Sequence, residues 1–176
     1  MPNWTTNDLK KQCKRAADKG WLPFFQDSGA DYTFDAVLLM AIASRETNMK
    51  NIIGDGGHGY GIMQIDDRSF PEWCHSGAWQ DVEQGIAKGA LVLDGKRTNV
   101  EKNQGKKIVF GKKSFVGKAN LTAAEILRIS ISSYNCGWWA YYNFSKGHDV
   151  DKSSTGHDYS ADVLSRMATI RNILFP

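Results

Sequence analysis

The sequence predicts a predominantly helical α+β fold with a small β element set among the helices. Three observations carry this reading. Apolar residues recur at helical spacing along several stretches of the chain. Five glycines crowd into Gly54–Gly61, the density that tight turns and a β-hairpin or meander require. Two short β-prone runs flank Gly111 inside a lysine-rich segment, which predicts a second hairpin.

Taken in order, Thr5 or Thr6 can cap a first helix running to about Lys19, with Leu9, Cys13 and Ala16 on one face and Gly20 as its stop. A loop through Pro23 and Gly29 leads to a second helix from about Thr33 to Arg45, whose apolar stripe is Leu38, Leu39, Ile42 and Ala43. Its last turn delivers Glu46. The glycine-rich stretch follows, with strands expected around Tyr60–Ile65, and then a helix over about Asp81–Leu93 built on Val82, Ile86, Ala90 and Leu93. Thr122-Ala-Ala-Glu125 is a capping-box signature that opens a helix bearing Ile126, Ile129 and Tyr134. The last helix starts near Asp158 and continues through Tyr159, Val163, Met167, Ile170 and Leu174.

No linker divides the chain, so its 176 residues read as one domain, 1–176, with a basic insertion at about 95–118. A chain of this length buries roughly 70% of its unfolded surface, enough for a core without staples. Three cysteines, Cys13, Cys74 and Cys136, allow at most one disulfide and are too scattered for a zinc site. No metal and no cofactor are expected, because the four histidines lack ligand spacing. Apolar stretches such as Phe34–Ser44 are too short to span a bilayer, so no membrane partner is expected. The first twenty residues contain no apolar core of a signal peptide; either the protein stays inside or its leader has been removed.

Charge is unevenly spread. Between Lys96 and Lys118 lie eight basic residues and one acid, so that segment carries +7 and the remainder, within a net +3, carries −4. Either it is a solvated insertion or it docks on an anionic polymer such as a bacterial wall. Nucleic acid is not expected as a partner, since only Phe110 and Phe115 interleave these charges.

Candidate chemistry centres on Glu46. It closes the apolar run Ala-Ile-Ala-Ser-Arg-Glu, a position that shields a carboxyl partly from water, as a general acid requires. Asp55 and Asp66 lie in and beside the glycine-rich element. A helix ending in Glu, followed by a hairpin bearing Asp, can set carboxylates across a cleft; inverting cleavage of a glycosidic bond needs them about 6.5–9.5 Å apart, with a water between. On local grounds a glutamate in a helix's last turn is more often a surface residue, and each aspartate reads equally as a turn or strand-end residue.

Ser44-Arg45-Glu46, Gly54-Asp55, Gly59-Tyr60-Gly61-Ile62-Met63-Gln64-Ile65-Asp66, Ser133-Tyr134-Asn135 and His157-Asp158-Tyr159 together resemble the goose-type lysozymes of glycoside hydrolase family 23. The resemblance runs from about Phe34 to the C-terminus. It implies a lysozyme-like α+β fold, predominantly α, with a small hairpin or meander beside the active-site helix; the basic hairpin at about 95–118 is extra to the typical family member. It implies Glu46 as general acid, with Asp66 and Asp55 positioning water. Gln64 and Ile65 would line the cleft, Tyr134 and Asn135 would contact sugar, and Tyr159 would be a cleft tyrosine. The implied activity is hydrolysis of β-1,4 bonds between N-acetylmuramic acid and N-acetylglucosamine in peptidoglycan; a secreted, extracellular protein is expected, and nothing in the sequence argues against a monomer. A chitinase on the same scaffold is the alternative, and a lytic transglycosylase or an inactive wall-binding module are further ones. Transglycosylases of the family typically lack an acid after the Met-Gln-hydrophobic run, where this chain has Asp66 and Asp67. The aromatic cluster Trp138, Trp139, Tyr141 and Tyr142 reads either as core or as a sugar-stacking platform.

Overall fold

A computed structural model describes residues 4–176. The chain packs as two compact units: one takes the residues up to Leu91 together with Val163–Pro176, the other Val92–Asp162.

The first unit opens with α1 (Thr6–Asp18), started by a complete capping box in which the Thr5 hydroxyl accepts from the Asp8 amide and the Asp8 carboxylate accepts from the Thr5 amide. A second helix, α2 (Leu22–Tyr32), occupies the stretch expected to be a loop. Pro23 and Gly29 suggested turns, but Pro23 sits in the first turn, where its missing N–H costs nothing. Gly29 lies in mid-helix because a Cβ there would meet the Phe34 carbonyl at 2.7 Å and the Ala36 amide at 3.2 Å. Glycine here serves helix packing, not a turn. Thr33 correspondingly ends α2 in the left-handed region instead of starting the next helix. That helix, α3 (Ala36–Thr47), begins after Asp35, whose carboxylate accepts from the Val37 amide and pairs with Arg171.

Nine of the twelve α3 residues are buried, so this helix is apolar nearly all round and runs through the core of its unit. Beyond it, β1 (Ile53–Gly54), β2 (Gly59–Tyr60) and β3 (Ile65–Asp66) form an antiparallel sheet in the order β1–β2–β3, the small β element expected from the glycines. Short helix α4 (Pro71–His75) follows. Helix α5 (Val82–Lys102) begins where expected but runs nine residues past Leu93, straight through Gly95. Lys96, Arg97 and Lys102 therefore belong to a helix, and the basic hairpin proper is shorter than the 95–118 insertion.

In the second unit, β4 (Lys107–Phe110) and β5 (Lys113–Val116) make the expected hairpin, with Ile108 opposite Phe115 on its buried face. Capping-box residue Thr122 starts α6 (Ala123–Cys136), and α7 (Trp138–Ser145) follows. The core here is Val100, Ile108, Phe115, Ile129, Ala140, Tyr141 and Val150. Helix α8 (Tyr159–Leu174) is started from a distance: the buried Asp151 carboxylate accepts from the Ser160 and Ala161 amides and from the Ser160 hydroxyl at 2.6 Å. Among the described residues, no helix is long and apolar enough to cross a membrane.

Candidate active site

Glu46 lies in the last turn of α3 and is half-buried. Ser44 and Thr47, on either side of it, anchor that turn. Ser44 is fully buried; its hydroxyl donates to Gln12 at 2.6 Å and accepts from Arg166 at 2.8 Å. The Thr47 hydroxyl lies within hydrogen-bonding reach of the Ala43 carbonyl (3.1 Å) and the Ile62 carbonyl (3.0 Å), and it accepts from the Lys50 amide. The contact to Ile62 ties the end of the Glu46 helix to the turn between β2 and β3.

Inside the sheet, Gly54 faces Gly59. A Cβ on either would overlap the Gln64 carboxamide oxygen, so the two glycines form the bed on which that side chain lies. Gln64, itself at positive φ, donates through Nε2 to the carbonyls of Ile52 (3.1 Å) and Gly61 (2.9 Å). Its amide hydrogens thus hold the sheet. Ile65 is 2% exposed, and its carbonyl accepts from Cys74 Sγ at 3.5 Å.

Asp55 and Asp66 come from different parts of the sheet. Asp55, at φ 48°, starts the 3₁₀ turn after β1, and Asp66 ends β3. Their carboxylates are joined by Arg68: Nη2 donates to Asp55 Oδ2 at 2.8 Å and Nε to Asp66 Oδ1 at 2.8 Å. Asp66 Oδ1 also accepts from the Arg68 amide at 3.0 Å. The pairing raises the Arg68 pKa, chiefly through its hydrogen bond to Asp66. Beside this group Asp67 bonds His58 Nδ1 at 2.9 Å and lies 3.6 Å from His75 Nε2; the hydrogen bond from His58 holds its carboxyl below the usual range.

The remaining expected site residues fall in the second unit. Tyr134 is half-buried on α6. Asn135 is exposed, and its side-chain oxygen accepts from the Thr155 amide at 2.8 Å. Tyr159 is 1% exposed at the start of α8. Of the aromatic cluster, Tyr141 is wholly buried and Tyr142 meets Phe110 and Phe115 edge-on, with centroids 5.9 and 5.5 Å apart. These two tyrosines are the floor beneath the basic hairpin. Trp139 also packs on Phe110, yet stays 39% exposed.

Sequence reading missed Arg68 and Arg166. The only local sign of Arg68 is a cation two residues beyond Asp66. Arg166 meets Ser44 across 122 residues and leaves no local sign.

A helix-borne glutamate followed by a three-stranded antiparallel sheet, within a mainly helical chain, defines a lysozyme-like fold of the α+β class. The family model Lysozyme g matches residues 19–171, and the chain belongs to that family. It is 28% identical over 142 residues to "Lysozyme g" of Cyprinus carpio, covering 78% of this chain and 65% of that protein. It is 27% identical to "Lysozyme G" of Dromaius novaehollandiae, covering 78% and 59%, and 28% identical over 154 residues to "Lysozyme g" of Epinephelus coioides, covering 78% and 68%. The chain thus spans roughly three fifths to two thirds of the length of these curated relatives.

Proposed function

We propose that this chain is a lysozyme that hydrolyses β-1,4 bonds between N-acetylmuramic acid and N-acetylglucosamine in peptidoglycan, by inversion and with protein carboxylates alone. Glu46 protonates the leaving glycosidic oxygen as its bond to the anomeric carbon breaks. A water bonds to that carbon from the opposite face and passes its proton to the carboxylate of Asp66, assisted by Asp55. Tyr134, Asn135 and Tyr159 are assigned to the sugar side of the site. Gln64 and Ile65 are assigned to the lining of the cleft beside the scissile bond. A secreted monomer is the form in which we expect it to act.

The observation that carries this reading is the pairing of a half-buried glutamate on an apolar helix with two aspartates gathered by one arginine on the sheet that follows. A general acid needs partial shielding, whereas a water-holding carboxylate must stay ionised and wet. The two environments differ in that sense. Asp66, directly after Gln64-Ile65, also favours hydrolysis over transglycosylation, since internal attack by the sugar needs no second acid.

The test is mass spectrometry of the products from peptidoglycan and, separately, from chitin oligosaccharides. Muropeptides with reducing ends support the proposal, and their loss in Glu46→Gln with substrate binding retained identifies the acid; general acid catalysis contributes about 10²–10⁴-fold. Anhydro ends would make the chain a transglycosylase, and cleavage of chitin alone would make it a chitinase. Undiminished turnover by Glu46→Gln would remove Glu46 from the mechanism.

A further inference from the structure

We infer that Arg68 is a positioning residue that binds Asp55 and Asp66 into one water-handling unit; the inference rests on the role proposed above for those acids. In the sheet order β1–β2–β3, the strands leading to Asp55 and holding Asp66 are not neighbours. No ladder hydrogen bond therefore sets the separation of the two carboxylates. Arg68 does so through its side chain. Nη2 holds Asp55 and Nε holds Asp66, each at 2.8 Å, so the rigid guanidinium plane fixes the spacing. Its own backbone is held by Asp66 Oδ1 at 3.0 Å, which limits how far the fork can swing.

Three consequences make this a device for the site. First, two carboxylates converging on one water repel each other, and the cation between them offsets that repulsion. Second, the arginine takes Asp55 Oδ2 and Asp66 Oδ1, which assigns the accepting role toward a water to Asp55 Oδ1 and Asp66 Oδ2. Third, all three side chains are well exposed, at 60% for Arg68, 65% for Asp55 and 41% for Asp66. Exposed ion pairs contribute only about 0–1 kcal/mol to folding. Fold stability is therefore a poor account of a twofold clamp here, and fixed carboxylate geometry is a better one. Lysine, a single point charge, cannot hold two acceptors at a set distance.

The test compares Arg68→Lys and Arg68→Ala, each alone and combined with Asp66→Asn, by steady-state kinetics on a soluble peptidoglycan oligosaccharide, with thermal melting as the folding control. A misplacement of about 1 Å in a reacting group can cost about 100-fold, so removal of a group that orients one is expected to cost about 10–100-fold. We expect that fall in kcat for Arg68→Ala, with KM and Tm little changed. Lysine should restore a minor part, and added guanidinium ion should partly rescue Arg68→Ala. In the Asp66→Asn background, removing Arg68 should cost little of the residual turnover, because the carboxylate it positions is gone. A rise in KM at unchanged kcat, or a loss of the same size in that background, overturns the inference. Collapse of Asp66→Asn beside an unimpaired Arg68→Ala overturns it while leaving the function proposed above intact. Full turnover by Asp66→Asn would instead overturn the role of that acid, and the inference with it.

Discussion

Arg166 Nη1 donates to both the hydroxyl of Ser44, at 2.8 Å, and its carbonyl, at 3.2 Å, and both residues are buried. The last helix thereby grips α3 two residues before Glu46. Gln12 Oε1 of α1 accepts from the Ser44 hydroxyl, so one hydroxyl links three helices.

Ser44→Ala should destabilise by about 1–2 kcal/mol, the cost of buried hydrogen-bonding groups left without a partner. Arg166→Ala should cost more, about 2–3 kcal/mol, because it also removes the packing of the guanidinium over Trp4, 5.4 Å from the ring centroid. Denaturant unfolding of both single variants and the double variant checks this. The effects should be less than additive.

Gly54 has φ −130°, a backbone that alanine adopts freely, so Gly54→Ala tests sterics alone. The new methyl would collide with the Gln64 carboxamide. Overpacking of this kind costs about 1–3 kcal/mol. Adding Gln64→Ala should relieve the clash but lose the bonds to Ile52 and Gly61, giving a double variant better than Gly54→Ala and worse than the parent. Thermal melts of the three variants decide it.

Burial pushes Tyr141 up to about 12, and its hydroxyl donates to the Lys118 carbonyl at 2.7 Å. The ionised form is disfavoured in the folded protein. The contribution of Tyr141 to stability is therefore complete below the ordinary tyrosine pKa of about 10 and is lost as pH rises through the folded value. Absorbance at 295 nm should show one tyrosine titrating together with alkaline unfolding. Tyr141→Phe should cost about 1 kcal/mol at neutral pH and remove that late-titrating group.

The basic hairpin offers a separate test of wall docking. Exchanging Lys106, Lys107, Lys112 and Lys113 for serine should lower activity on whole cells and flatten its dependence on salt, while a soluble oligosaccharide is cleaved as before. Equal losses on both substrates would exclude docking by this hairpin.

The elements read most directly from sequence are those whose signals are local. Thr5 with Asp8 and Thr122 with Glu125 each complete a capping box within one turn, and Gly111 turns its hairpin at positive φ. Helix α2 was hidden because Pro23 and Gly29 answer to helix start and helix packing, which look like turn signals until the neighbouring Phe34 carbonyl is in view. Glycine lowers helix propensity by about 1 kcal/mol relative to alanine, so Gly95 looks like a helix end, yet α5 runs through it to Lys102. At the candidate site, the acids could be named from motif spacing. The arginine joining two of them could not, since its contact with Asp55 spans thirteen residues and exists only once the sheet has formed.

The cysteines give the molecule its own set of clocks. Cys13 on α1 and Cys74 on α4 are buried in the first unit, and Cys136 on α6 is partly covered in the second; all three are free thiols whose ionisation burial suppresses. Each must be uncovered before a thiol reagent can react with it. Their labelling rates therefore time the opening of each unit separately, and matching rates across all three sites would mark the two units as breathing in one cooperative step.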